Sequence, residues 1–175
     1  MLIDSGDTII DEGTEVRDGE IVVDGAALPG ACEVLKWLYE EKYRIVLNAD
    51  GYYRSFQNLF LRNGIFEYFY AFTVSELIRA RKPDRRMFLA ALGAAGLESG
   101  EADMALMVGN NLARDIKGAN AMGIASVHYQ WSPRYPHEPA DESECPVYTI
   151  TSLMQLPEIA DEFDRSRGLY RMFTK

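Results

Sequence analysis

The run Met104-Ala105-Leu106-Met107-Val108 is apolar at every position. A strand with one wet face alternates polar and apolar residues, whereas a strand covered on both faces does not. A chain carrying such a run must therefore cover a sheet from both sides, and a parallel sheet flanked by helices does this most simply. Ile45-Val46-Leu47 repeats the pattern. Between such runs, apolar residues recur at helical spacing: Val34, Leu35 and Leu38 after Pro29-Gly30, then Phe56, Leu59, Phe60 and Leu61, then Met87, Phe88, Ala91 and Leu92. That alternation is the pattern of βαβ units.

The remaining elements fall into place around these. Leu2-Ile3 reads as the end of a first strand cut very short, as if the chain were trimmed ahead of it. Asp18-Gly19, between apolar runs, signals a hairpin over about 14–24. Phe72-Thr73-Val74, Ala125-Ser126-Val127 and Val147 to Ile150 read as further strands. Pro83 suits the first turn of a helix, where its missing N–H has no partner to lose. Asn111 can cap a helix running to Met122, with Gly123 as its stop. The segment 131–146 holds four prolines and reads as a loop; 151–175 reads as a helix and a tail that is basic and aromatic from Arg165 to Lys175. With 175 residues and no linker-like stretch, a single domain over 1–175 is expected.

The formal net charge of -9 argues against general binding to nucleic acid or to an anionic membrane, so any anionic ligand must be held by local cations. Cys32 and Cys145 are too few and too far apart for a disulfide framework or a metal quartet, and read as reduced thiols of a cytoplasmic protein. No apolar run approaches the roughly 18 residues of a membrane span, and no signal-peptide pattern follows Met1.

Four clusters of polar residues stand just after the expected strands, where open α/β sheets bind ligands. Asp4-Ser5-Gly6-Asp7-Thr8 offers carboxylates as nucleophile or metal ligand. Asn48-Ala49-Asp50-Gly51 has turn-forming composition. Arg79 to Arg86 carries five basic residues, either a solvated face or an anion clamp beside a helix N-terminus. Gly109-Asn110-Asn111-Leu112-Ala113-Arg114-Asp115 follows the apolar run. Each alone is ordinary loop chemistry.

In this order and at these positions, the four clusters resemble the motifs of the haloacid dehalogenase superfamily, mostly magnesium-dependent phosphatases. Asp4 to Thr8 is similar to Asp-x-Asp-Gly-Thr, the segment Val16 to Val23 to the flap that follows, and Val46 to Gly51 to Val-Ser-Asn-Ala-Asp-Gly. Arg81-Lys82-Pro83-Asp84 is similar to the third motif, and Val108-Gly109-Asn110 to Asp115 with Gly118-Ala119 to the fourth. The resemblance covers roughly residues 2 to 130 and implies a three-layer Rossmann-like sheet with a hairpin flap. The gap between the first two motifs leaves no room for a separate cap domain. Capless members usually act on large or extended substrates or borrow a second copy as lid, which makes a homodimer one expectation.

The resemblance implies roles residue by residue. Asp4 is the expected nucleophile and Lys82 the phosphoryl clamp. Asn48, Asp50, Lys82 and Asn111 are the expected substrate contacts. Asp4, the carbonyl of Gly6, Asn110 and Asp115 are the expected ligands of a weakly held magnesium ion. Three positions depart from the family pattern. Gly6 stands where the family has its general acid–base Asp, a role worth about 10²–10⁴-fold in rate; Asp7 and then Asp50 are the candidate substitutes. Leu47 stands where a hydroxyl would donate to the phosphoryl group, and Asn110 where a metal-binding Asp would. The expected function is therefore hydrolysis of a phosphate ester through Asp4 with altered catalysis. The alternative is a protein that kept the fold as a platform for a phosphorylated ligand or protein partner. Dehalogenation fits Gly6 but lacks a hydrophobic cap. Trp131, Pro133 and Tyr135 are read as loop anchors ahead of a closing or dimer-contact role, and His128 and His137 as structural residues.

Overall fold

Leu2 and Ile3 form a strand of two residues, β1, and yet it holds the middle of the sheet. Leu2 pairs with Val46 on one side and Met107 on the other, and Ile3 pairs with Leu47 and Val108, all in parallel. In this computed structural model, which describes residues 1–168, six parallel strands run in the order β5-β4-β1-β6-β7-β8. They are β4 (Ile45–Ala49), β5 (Phe69–Val74), β6 (Leu106–Gly109), β7 (Ala125–Tyr129) and β8 (Tyr148–Ile150) with β1. A separate antiparallel pair, β2 (Val16–Asp18) and β3 (Ile21–Asp24), forms the flap.

Alternation along each strand divides the core into two layers. Ile3, Ile45, Leu47 and Val108 join one apolar cluster with α1 (Ala31–Glu40), α2 (Tyr53–Arg62) and α6 (Leu156–Ser166). Leu2, Val46 and Met107 join the other with α4 (Arg85–Ala94) and Ala119 of α5 (Lys117–Ala121). The central strands are buried on both faces, as their unbroken apolar runs require. A one-turn helix, α3 (Ser75–Ile78), follows β5.

Three expectations shift locally. The hairpin turn is Gly19-Glu20 instead of Asp18-Gly19, because glycine takes the left-handed φ of +59° at the first turn position. The fourth helix starts at Arg85, two residues after Pro83, because the Asp84 carboxylate caps it by accepting from the Arg86 N–H at 2.9 Å. The helix expected from Asn111 to Met122 begins instead with a wide π turn over Leu112–Ile116, closed by Ile116 N–H to the Asn111 carbonyl at 3.3 Å. The last seven residues of the basic tail lie outside the described residues.

The flap does not stand free. The Ser55 hydroxyl accepts from Val22 N–H at 2.9 Å, and Asn58 Nδ2 and Arg62 Nε donate to the carbonyls of Val22 and Val23, each at 3.0 Å. One edge of the flap is thus held by side chains of α2, and at its tip the Tyr52 hydroxyl donates to Glu20 at 2.7 Å. Beneath it, Phe60 is fully buried and stacks on Phe69 at 4.6 Å. Phe60→Ala is expected to cost about 3–5 kcal/mol, whereas Leu61→Ala at the 58% exposed neighbour should stay within about 0.5 kcal/mol. Urea unfolding followed by circular dichroism checks this, and equal losses would contradict the packing described.

Candidate active site

The carboxyl ends of β1, β4 and β6 meet at the centre of the sheet, where the chain passes from one side of β1 to the other. Asp4 follows β1, and its backbone N–H still bonds the Val108 carbonyl of β6 at 2.9 Å. Asp50 follows β4, and Asp115 sits on the π turn after β6. Lys82, from the loop before α4, reaches into this convergence. Its ammonium donates to Asp4 at 2.7 Å and to Asp115 at 2.6 Å, while its backbone N–H donates to Asp50 at 3.1 Å. Four residues from four separate segments thus form one buried cluster.

Gly109 makes this possible for Asp115. A Cβ on Gly109 would lie 2.5 Å from the Asp115 carboxyl carbon, so only glycine lets that side chain fold back over the strand end. The other Asp115 oxygen accepts from Asn111 N–H at 3.0 Å.

Charge in the cluster is balanced by burial against proximity. Burial opposes the ammonium of Lys82, but Asp115, Asp4 and Asp50 outweigh it and hold its pKa well above the ordinary lysine value. Burial pushes the Asp4 carboxyl up, and Lys82 pulls it back only in part. Asn110 is buried with both amide atoms lacking a hydrogen-bond partner, and its backbone carbonyl contacts His128 Nε2 at 3.2 Å. Among the described residues no three His, Cys, Asp or Glu side chains converge as a metal cage. Two carboxylates and an orphaned buried amide offer hard-oxygen donors of the kind magnesium accepts when waters complete its shell.

A cleft of about 220 Å³ opens beside the cluster. Asp4, Ser5, Gly6, Asp50 and Lys82 line its floor, and its walls carry both signs of charge, Arg17, Arg81 and Arg114 beside Glu12, Glu15 and Glu20. The flap supplies Val22, and α2 supplies Phe56 and Leu59.

Not every expected residue faces the cleft. Asp7 is fully buried and turned away from it. Its backbone takes a left-handed φ of 48°, and its carboxylate is bound by Arg134 Nη1 at 2.6 Å and by Glu12 N–H at 3.1 Å. Asp7 therefore seats the proline-rich loop on the first motif and does not line the cleft. Asn48 is buried in β4 with its amide against Met107 Sδ at 3.9 Å, and Asn111 caps the π turn through Arg114 N–H at 3.1 Å; neither lines the cleft.

Two cleft residues were not legible as such. Arg114 lies 3.6 Å from Asp50 and 5.2 Å from the Tyr135 ring centroid, which ties the proline-rich loop to the rim. Glu12 is half-buried in the cleft wall. Burial, followed by the neighbouring charges of Asp7 and Asp4, raises its pKa. Nothing in its spacing from Asp4 marks it, since only the folded-back loop brings it over Gly6.

A family model described as haloacid dehalogenase-like hydrolase matches residues 2–123. The chain belongs to that family. A glyceraldehyde 3-phosphate phosphatase of Pyrococcus furiosus is 30% identical over 134 residues, 77% of this chain and 54% of that relative. The pyrimidine 5'-nucleotidase PynA of Streptococcus pneumoniae is 28% identical over 141 residues, 79% of this chain and 56% of its own. The chain thus spans about half the length of the curated relatives it matches. Among solved structures, a haloacid dehalogenase-family phosphatase from Thermococcus onnurineus superposes with a TM-score of 0.65 at 26% identity, over 77% of this chain and 58% of that one. An uncharacterized protein from Listeria monocytogenes serotype 4b shares the fold almost end to end, with a TM-score of 0.73, 20% identity and coverage of 94% and 97%.

Removing the ammonium leaves buried carboxylates facing one another. Lys82→Met is expected to cost about 3–5 kcal/mol near neutral pH. Asp4 already titrates above its ordinary value, and the substitution raises it further. A raised folded-state pKa means stability is lost as pH rises through it. The deficit should therefore be larger near about pH 7.5 than near about pH 4.5, where protons replace the lysine. Urea unfolding at both pH values measures it, and a deficit that grows on acidification would contradict the assignment.

Proposed function

We propose that this protein hydrolyses a small phosphate ester through Asp4. The observation that carries the reading is the Lys82 ammonium held between Asp4 and Asp115 at the floor of a cleft that Arg81 and Arg114 also line. Asp4 is the nucleophile, and it takes the phosphoryl group onto a carboxylate oxygen. Lys82 neutralises the charge gathered there, with Arg114 and Arg81 available to the non-bridging oxygens and to the substrate body. Such preorganised cations act most strongly in a water-poor site. Asp4, Asp115, Asn110 and the carbonyl of Gly6 would hold magnesium. When bound, that ion would add positive charge beside the phosphoryl oxygens. The relatives named as phosphatases and nucleotidases support the reaction class.

A dehalogenase reading is disfavoured by the charged residues around the cleft, which outnumber the apolar Val22, Ala49, Phe56 and Leu59. The domain organisation is read as a single capless unit with the flap as its lid. No helix among the described residues is long and apolar enough to cross a membrane. Cys32 and Cys145 are free cysteines.

The test is phosphate release from a panel of small phosphate esters at millimolar magnesium, beside Asp4→Asn. Release is expected from the wild type and only background from the variant; chelation of magnesium should lower the wild-type rate. No difference between wild type and variant across the panel would overturn the reading in favour of a binding platform.

A further inference from the structure

The first-motif loop has a glycine where hydrolysis through Asp4 needs an acid. Gly6 leaves a space beside the nucleophile, and that space is filled. A Cβ built on Gly6 would lie 2.0 Å from Glu12 Oε1 and 2.8 Å from Glu12 Cδ. The carboxylate of Glu12 therefore occupies the volume that a side chain at position 6 would take.

The loop is built to bring it there. After Asp4 the chain folds back on itself: Ile10 N–H bonds the Ser5 carbonyl at 3.0 Å, and Asp7 N–H bonds the Ile10 carbonyl at 2.7 Å. Glu12 N–H donates to Asp7, which Arg134 holds from the far side. Glu12 then opens a short turn, Glu12–Thr14, capped by Asp11 accepting from Gly13 N–H at 2.8 Å. Backbone and neighbours are thus pinned while the side chain points over Gly6. The two nearby acids differ in what binds them. Asp7 is tied by a guanidinium and a backbone N–H, whereas among the described residues no hydrogen bond reaches the Glu12 carboxylate.

Resting on the phosphatase reading above, we infer that Glu12 serves as general acid and base, delivered from position 12 in place of a residue at position 6. As an Asp4 oxygen bonds phosphorus, the bond from phosphorus to the ester oxygen breaks and the Glu12 carboxyl gives its proton to that oxygen. The alcohol leaves. Water then bonds phosphorus and passes a proton to the Glu12 carboxylate, while the bond from Asp4 to phosphorus breaks. Phosphate departs, and both carboxyl groups return to their starting states.

The experiment compares Glu12→Gln and the double variant Gly6→Asp/Glu12→Gly with wild type and Asp4→Asn, on an alkyl phosphate and on 4-nitrophenyl phosphate. Glu12→Gln is expected to lower turnover of the alkyl ester by about 10²–10⁴-fold. With the aryl ester, whose leaving group needs no proton, it should release a burst of nitrophenol and then phosphate slowly, because water attack lacks its base. A merely structural role would slow both esters alike and give no burst. The double variant should recover at least about tenfold over Glu12→Gln on the alkyl ester, since the acid returns by the shorter route. Asp4-dependent turnover that Glu12→Gln leaves intact would overturn the assignment of Glu12 alone. Absence of any Asp4-dependent turnover would overturn the phosphatase reading, and this inference with it.

Discussion

The ammonium of Lys82 between two buried carboxylates is the interaction on which the site depends. Asp4 leaves β1, Asp115 leaves the turn after β6, and Lys82 arrives from the loop ahead of α4. None of the carboxylates would be tolerable this deep without a cation, and the cation would not be tolerable without them. One residue therefore joins three segments that the sequence separates by 78 and 33 positions. It also sets a strong positive charge beside Asp4, so the feature that makes burial tolerable is the one that makes the proposed phosphoryl chemistry reasonable.

Around that cluster, the absence of side chains at two glycines matters as much as the side chains present. Gly109 leaves room for Asp115 to fold back over the strand end. Gly6 leaves room for Glu12, a residue from a neighbouring turn. The site thus combines fixed strand-end residues with one carboxylate brought by a loop, and the anchor of that loop is Asp7, clamped by Arg134 from the proline-rich segment. The flap closes the other side, held by Ser55, Asn58 and Arg62 of α2.

Most of the architecture was legible because it follows from periodicity. Unbroken apolar runs at Ile45 and Met104 announce strands buried on both faces, and residues at helical spacing announce the layers that cover them. The positions of Asp4 and Asp50 follow from the same pattern, because both residues come just past a strand. Lys82 and Asp115 are instead picked out by the family resemblance, since a short helix separates Lys82 from β5 and Asp115 lies within the π turn after β6. What stayed hidden was set by backbone detail. The π turn after β6 depends on which carbonyl Ile116 reaches. The orientation of Asp7 depends on a left-handed φ and on Arg134, 127 residues away. Glu12 reads as one acid in an acidic stretch until the loop is seen to fold over Gly6.

Asp4 accepting a phosphoryl group is the step on which the proposed chemistry rests. The most direct measurement is rapid acid quench of the protein during incubation with a phosphate ester, followed by mass spectrometry of its peptides. A phosphoryl group on the peptide carrying Asp4, present during turnover and missing in Asp4→Asn, is the predicted result. Turnover with no phosphorylated peptide, or with the group on another residue, would contradict it.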